Sequence, residues 1–134
     1  MAEFVGLAAS VSGLLEIASK ITQLSYTYVC DVRNAPKTQK QYLQEVSAFT
    51  DTLFRTEQAI QEAEATGLVP ARPASLSDDV LQDCHMTLCS LQMDLEKQLN
   101  RLLWPFQERE LRKHINSLQR FRDIFTNFLS ANIL

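Results

Sequence analysis

The sequence predicts an all-α fold: an antiparallel four-helix bundle with a hydrophobic N-terminal helix. Three observations point there. Apolar residues recur at helical steps of three and four in four separate stretches, and no segment of the 134 residues shows sustained alternation of period two. Only three glycines and four prolines are present, little material for turns. Leu, Gln, Glu, Ala and Arg are abundant while aromatic residues make up 8%, a balance that favours helices. The length suits one domain over residues 1–134 with a real core.

The first helix is expected over about residues 3–30. Phe4, Leu7/Ala8, Val11, Leu14/Leu15, Ala18, Ile21 and Tyr28 keep helical spacing, and no charge occurs between Glu3 and Glu16. A secretory signal needs a positive region before its apolar run, and the early charge here is the acidic Glu3. Gly6 and Gly13 weaken the helix by roughly 1 kcal/mol each. With Ala9 and Ser10 they form a strip of small residues where another backbone can approach. Asp31 to Pro36 reads as a turn, with Asn34 as a cap candidate and Pro36 suited to a first helical position.

The second helix is expected over about 36–65. Tyr42, Val46, Phe49, Leu53, Ile60 and Ala63 form its stripe, interrupted by Thr56 and widened by Leu43 and Phe54. Gly67 is a C-terminal stop. A loop over Thr66 to Ser77 carries Pro70 and Pro73. Ser75 to Asp79 then supplies cap candidates and acidic residues for the positive end of a helix dipole.

The third helix is expected over about 77–103, with Leu81, Cys84, Leu88, Leu91, Leu95 and Leu102 on one seam and Leu99 and Leu103 beside it. A break or sharp kink is expected at Pro105 within Trp104-Pro-Phe106, leaving two helices or one kinked helix over 77–130, because proline lacks a backbone donor and restricts the residue before it. The last helix, about 106–130, places Leu111, Ile115, Leu118, Phe121/Arg122, Phe125 and Leu129 on its apolar face, broadened by Ile124 and Phe128. On its other side Arg109, Arg112, Lys113, Arg120 and Arg122 outnumber Glu108, Glu110 and Asp123. Stretches of this length give rods of about 38 Å, and their links suit antiparallel neighbours.

Little in the chain points to chemistry, and no catalytic, cofactor-binding or metal-ligating residue is assigned. A net charge of −3 argues against nucleic-acid binding. Cys30, Cys84 and Cys89 are an odd number without framework spacing, which suggests a reduced, cytoplasmic setting. His85 between Cys84 and Cys89 invites a zinc reading, but i, i+1 and i+5 point in different directions on a helix, and Cys84 belongs to the leucine seam. Cys30 has no histidine near it in the sequence and is not assigned as a reactive thiol. His114 is read as a solvated surface residue among basic neighbours, and Glu62/Glu64 and Glu108/Glu110 as solvated charges. Neither a Walker pattern nor a dinucleotide fingerprint occurs. The basic side of the last helix is a plain solvated face or an attraction for anionic lipid head groups.

The opening Met-Ala-Glu-Phe-Val-Gly-Leu-Ala-Ala-Ser-Val-Ser-Gly-Leu-Leu-Glu-Ile-Ala resembles the start of the HeLo-like domains at the N-termini of fungal STAND receptors. Those receptors are NACHT or NB-ARC proteins with ankyrin, WD40 or TPR repeats. Tyr28-Val-Cys-Asp-Val-Arg-Asn-Ala-Pro-Lys37 is similar to the family's Ala-Pro approach to its second helix. Leu102-Leu-Trp-Pro-Phe-Gln-Glu-Arg-Glu-Leu111, with Leu118-Gln-Arg-Phe121, is similar to its Trp-Pro-Phe junction and final amphipathic helix. The resemblance implies a helical effector domain of fungal innate immunity, programmed cell death or heterokaryon incompatibility. It implies a downstream nucleotide-binding module whose oligomerisation clusters the bundles, and recruitment to the plasma membrane on activation. No such module follows Leu134, so an excised domain or a stand-alone relative is expected.

On this reading Phe4, Val5, Leu7, Val11, Leu14 and Leu15 meet the membrane. Gly6, Ser12, Gly13 and Glu16 face an oligomer contact or pore. Phe4 to Leu15 rises about 18 Å against a hydrocarbon core of about 30 Å, too short to span alone. Extending past Glu16 and Lys20 costs roughly 2.5–3.5 kcal/mol per charge near the membrane centre. A ring of helices, or an interfacial helix, avoids much of that cost. Self-association and anionic lipids are thus the expected partners. The alternative is a soluble docking or self-association module in which Val5, Leu7, Val11, Leu14 and Ile17 are simply core.

Overall fold

The computed structural model describes residues 2–29, 35–97 and 104–132, with side chains of the first segment described from Gly6 onward. Among the described residues are four helices and no strand: α1 (Ala2–Tyr28), α2 (Lys37–Ala65), α3 (Asp78–Lys97) and α4 (Glu108–Ala131). The expected cap Asn34, the thiol Cys30 and the seam residues Leu99, Leu102 and Leu103 lie outside the described residues.

Local chemistry sets the helix ends. Pro36 is the cap of α2 rather than its first helical residue, since its ψ of 151° is extended while its carbonyl accepts the Lys40 N–H at 3.0 Å. At the other end Gly67 takes φ +73°, the left-handed conformation that glycine adopts without a Cβ penalty. The Leu68 N–H then reaches the Ala63 carbonyl at 2.8 Å and the Gly67 N–H reaches the Glu64 carbonyl at 3.1 Å, a Schellman closure. Ser77 Oγ accepts the Val80 N–H at 3.3 Å to cap α3, with Asp78 and Asp79 in its first turn. The loop residue Leu76, absent from the expected core, is fully buried just before this cap, where a hydrophobic residue fixes the angle of entry.

Residues 104–107 are non-helical, and α4 starts at Glu108, later than the expected 106. The reason is packing: Phe106 turns inward and is buried, and Gln107 with ψ 160° becomes the cap.

The expected stripes form the core, with corrections. Leu7, Val11, Leu14, Ala18, Ile21 and Leu24 from α1 meet Tyr42, Leu43, Val46, Phe49, Leu53 and Ile60 from α2. Leu81, Cys84, Leu88, Leu91 and Leu95 come from α3, and Leu111, Ile115, Leu118, Phe121, Phe125 and Phe128 from α4. Thr56, the expected interruption of the α2 stripe, is fully buried, and its hydroxyl donates to the Thr52 carbonyl at 2.8 Å. Phe54 is exposed instead of widening the stripe, because it stands one residue beyond Leu53 and so about 100° round the helix. Phe128, not Leu129, closes the α4 seam.

The closely packed pairs are α1 with α2, α1 with α3, and α2 with α4. Ser25 meets Tyr42 while Ala8 and Ser12 lie beside Glu57 and Ile60, so α1 and α2 run in opposite senses. Thr38 meets Glu108 while Phe49 meets Phe125, so α2 and α4 run parallel. Ser10 lies beside Asp78 and Tyr28 reaches Leu95, so α1 and α3 also run parallel. Arg120 and Asp83, 3.0 Å apart, join α4 to α3. The helices thus alternate in direction along the chain, and the loop over 66–77 crosses the bundle diagonally from α2 to α3, so that parallel helices also lie side by side. Asn132 holds the loop: its side chain accepts the Ala71 N–H at 2.7 Å and donates to the Ala71 carbonyl at 2.8 Å.

Candidate functional site: the first helix and its clamp

The Trp-Pro-Phe junction organises one end of the bundle. Trp104 packs edge-on against Tyr28 of α1, Tyr42 of α2 and Phe106, with ring centroids 6.0, 5.7 and 5.6 Å apart. Such aromatic pairs contribute about 0.5–1.5 kcal/mol each beyond their area. Tyr28 donates its hydroxyl to the Leu95 carbonyl of α3. The hydroxyls of Tyr42 and Ser25, both fully buried, lie 2.8 Å apart. Burial pushes the Tyr42 hydroxyl pKa well up, with the Ser25 hydrogen bond opposing. Three elements thus grip the end of α1.

The grip is confined to one half of that helix. Thr22 reaches Thr50 at 3.1 Å, Tyr26 reaches Ser47 at 3.2 Å, and the Ala18 carbonyl accepts from Thr50 at 3.5 Å. Among the described residues, every side-chain hydrogen bond joining α1 to another helix falls at Ala18 or beyond. Before Ala18 the helix is held by apolar burial, which is non-directional.

The six residues assigned to membrane contact lie in that first half, and three of them face inward. Leu7, Val11 and Leu14 are buried core and Leu15 is half-buried, while the side chains of Phe4 and Val5 lie outside the description. Gly6, Ser12 and Glu16 are exposed and Gly13 is half-buried, on nearly the opposite side. A Cβ added at Gly6 or Gly13 would meet nothing within 4 Å, so the small strip opens outward. The fold separates the two assigned sets.

The remaining titratable residues are explained locally. Cys84 is fully buried in the core, and burial pushes its thiol up to about 12, with Asp83 adding and Arg120 opposing. His85 and Cys89 sit together instead, Nδ1 to Sγ 3.8 Å, one helical turn apart on a face that Cys84 does not share. His114 is not a solvated surface residue: it is half-buried, with its ring 4.7 Å from that of Phe106, and desolvation lowers its pKa. The inward turn of Phe106 creates this contact. The basic side of α4 is largely paired: Arg112 with Glu108 at 2.9 Å, Arg120 with Asp83 at 3.0 Å, and Arg122 with Glu45 at 2.8 Å. Glu45 is only 6% exposed, and every buried side-chain nitrogen or oxygen among the described residues has a hydrogen-bond partner.

Sequence reasoning missed a second feature, a groove of about 710 Å³ between α2 and α4. Gln41 and Gln44 line one wall and Asn116 and Gln119 the other, with Lys37 and Arg112 at one end and the Glu45–Arg122 pair at the other. The polar spacing of Gln41/Gln44 and Asn116/Gln119 was visible in the sequence. The parallel pairing that brings them face to face was not.

The geometry defines a class, an all-α helical bundle. Comparison with family models, with curated proteins and with solved structures yields no match for the chain.

Proposed function

We propose that the chain is a non-enzymatic signalling domain of the HeLo-like kind that it resembles in sequence. In this proposal it serves as the N-terminal effector of a fungal STAND receptor that induces regulated cell death. Clustering releases the first half of α1, which then enters a membrane surface as an oligomer. One observation carries the reading: among the described residues, α1 is clamped by hydrogen bonds and aromatic rings from Ala18 onward and by apolar packing before it.

The magnitudes bound the mechanism. Exposing Leu7, Val11 and Leu14 costs roughly 5–9 kcal/mol at about 1.5–3 kcal/mol per buried side chain. Burying the same side chains in lipid restores a comparable amount, so oligomer contacts tip the balance. No described helix is long and apolar enough to cross a membrane, so the released segment lies in the interface or lines a ring, with Gly6, Ser12, Gly13 and Glu16 toward water or neighbouring helices.

The second reading, a soluble docking or self-association module, draws on the burial of Leu7, Val11 and Leu14 in the resting bundle. Dye leakage from anionic liposomes, with the chain clustered on a trimeric fusion partner, separates the two. Ile60→Val loosens the seat of the first half of α1 without touching α1 itself, and is expected to leak faster than the wild type. Phe125→Leu, on the α2–α4 side, is expected to leak at the wild-type rate. Absence of leakage from all three clustered proteins would overturn the membrane reading in favour of the docking module.

A further inference from the structure

The loop end of the bundle is net acidic, and the Trp104 end, where both signs mix, is net basic. The end holding the 66–77 loop exposes Glu62, Glu64, Asp78 and Asp79, with Arg72 bound to Asp78 at 2.7 Å. The Trp104 end carries Lys37, Lys40, Lys97, Arg109, Arg112 and Lys113 beside Asp94, Glu96, Glu108 and Glu110, with Arg112 bound to Glu108 at 2.9 Å. At the acidic end the chain is exposed almost without interruption from Gln61 to Val69, and Val69 at 77% is the most exposed large apolar residue described. At the basic end the α2/α4 groove presents Lys37 and Arg112, then paired carboxamides, over the apolar edges of Ala48 and Ile115.

We propose that this groove binds the acidic, apolar-tipped end of α2, residues 61–69, from a second copy of the chain. Lys37 meets Glu62 and Glu64, and Arg112 is shared between Glu64 and its own Glu108. The carboxamides of Gln41, Gln44, Asn116 and Gln119 supply donors and acceptors to the non-helical backbone after Gly67. Leu68 and Val69 cover Ala48 and Ile115. A chain cannot fill its own groove, because Lys37 and Glu62 belong to one continuous helix and stand about 38 Å apart at 1.5 Å per residue. The contact is heterologous, leaving one groove and one tip open at the ends, so it builds rings or open strings rather than closed dimers. It rests on the clustering invoked under Proposed function and names the surface that carries it.

Sedimentation velocity in lipid-free, low-salt buffer across rising protein concentration tests this directly. The wild type is expected to grow beyond a monomer, and salt to weaken the growth as screening shortens. Lys37→Glu with Arg112→Glu, or Glu62→Lys with Glu64→Lys, is expected to weaken association more than about tenfold by placing like charges together. All four substitutions in one chain restore complementarity and are expected to restore growth, a result that misfolding could not give. A wild type that stays monomeric, growth indifferent to either reversal, or failure of the four-fold swap to restore it would overturn the proposal. Because no lipid is present, that failure leaves the leakage result to judge the effector reading separately.

Discussion

Tyr42 shows how much one side chain can hold. It is fully buried, packs its ring against Trp104 and Phe106, and shares a hydrogen bond with the fully buried Ser25. Tyr42→Phe keeps the ring and strands the Ser25 hydroxyl, so a loss of about 1–3 kcal/mol is expected in urea unfolding. Cys84 makes a chemical contrast on one helix: with its thiol pushed up to about 12 by burial, it is expected to resist alkylation at neutral pH while the half-buried Cys89 reacts. Peptide mapping after a timed iodoacetamide pulse reads the difference. His114 contributes a pH dependence of defined sign. Desolvation lowers its folded-state pKa below the ordinary 6.5, although Asp94 and Glu110 oppose this. The unfolded chain therefore binds a proton more readily, and stability is expected to fall as pH drops below about 6.5, levelling off below the folded pKa. His114→Gln should flatten that part of the stability–pH curve. The sequence showed the apolar neighbours of Cys84 but not the ring over His114, because Phe106 reaches it only after the chain breaks at Pro105.

At the scale of elements, local chemistry was the most legible. The stop at Gly67, a cap within Ser75 to Asp79 and an interruption at Pro105 were each legible, because backbone dihedrals and missing donors act within a few residues. Gly67→Ala would force a Cβ into φ +73°, and a loss of about 1 kcal/mol is expected by thermal melting, the range in which glycine differs from alanine. The stripes were legible for the same reason that they pack, a 3.6-residue period. Their edges were less so: Thr56 is buried because its hydroxyl can bond back to Thr52, which a hydropathy pattern scores as an interruption. Phe54 and Leu76 exchanged places with expectation, one outside the core and the other within it. Side-chain polarity does not reveal which way a loop residue turns.

The whole molecule was the least legible scale, since periodicity tells which face of a helix is apolar but not which helix covers it. The parallel seating of α2 beside α4, and with it the polar groove, follows from the diagonal loop and its Asn132 lock rather than from any stripe. The candidate site was half legible: the apolar opening of α1 stood out, whereas its division at Ala18 depends on partners from α2, α3 and residues 104–106. Because α1 packs on both α2 and α3, deleting residues 1–20 removes Leu7, Val11, Leu14 and Ala18 together and is expected to abolish cooperative unfolding seen by circular dichroism. That truncation is thus no clean probe of membrane activity. Native-state hydrogen exchange along α1 in the intact chain is the direct test. Amides of residues 7–17 are expected to exchange through a partial opening of lower free energy than those of residues 21–28, which should follow global unfolding. Equal opening free energies along the whole helix would contradict a first half held ready for release.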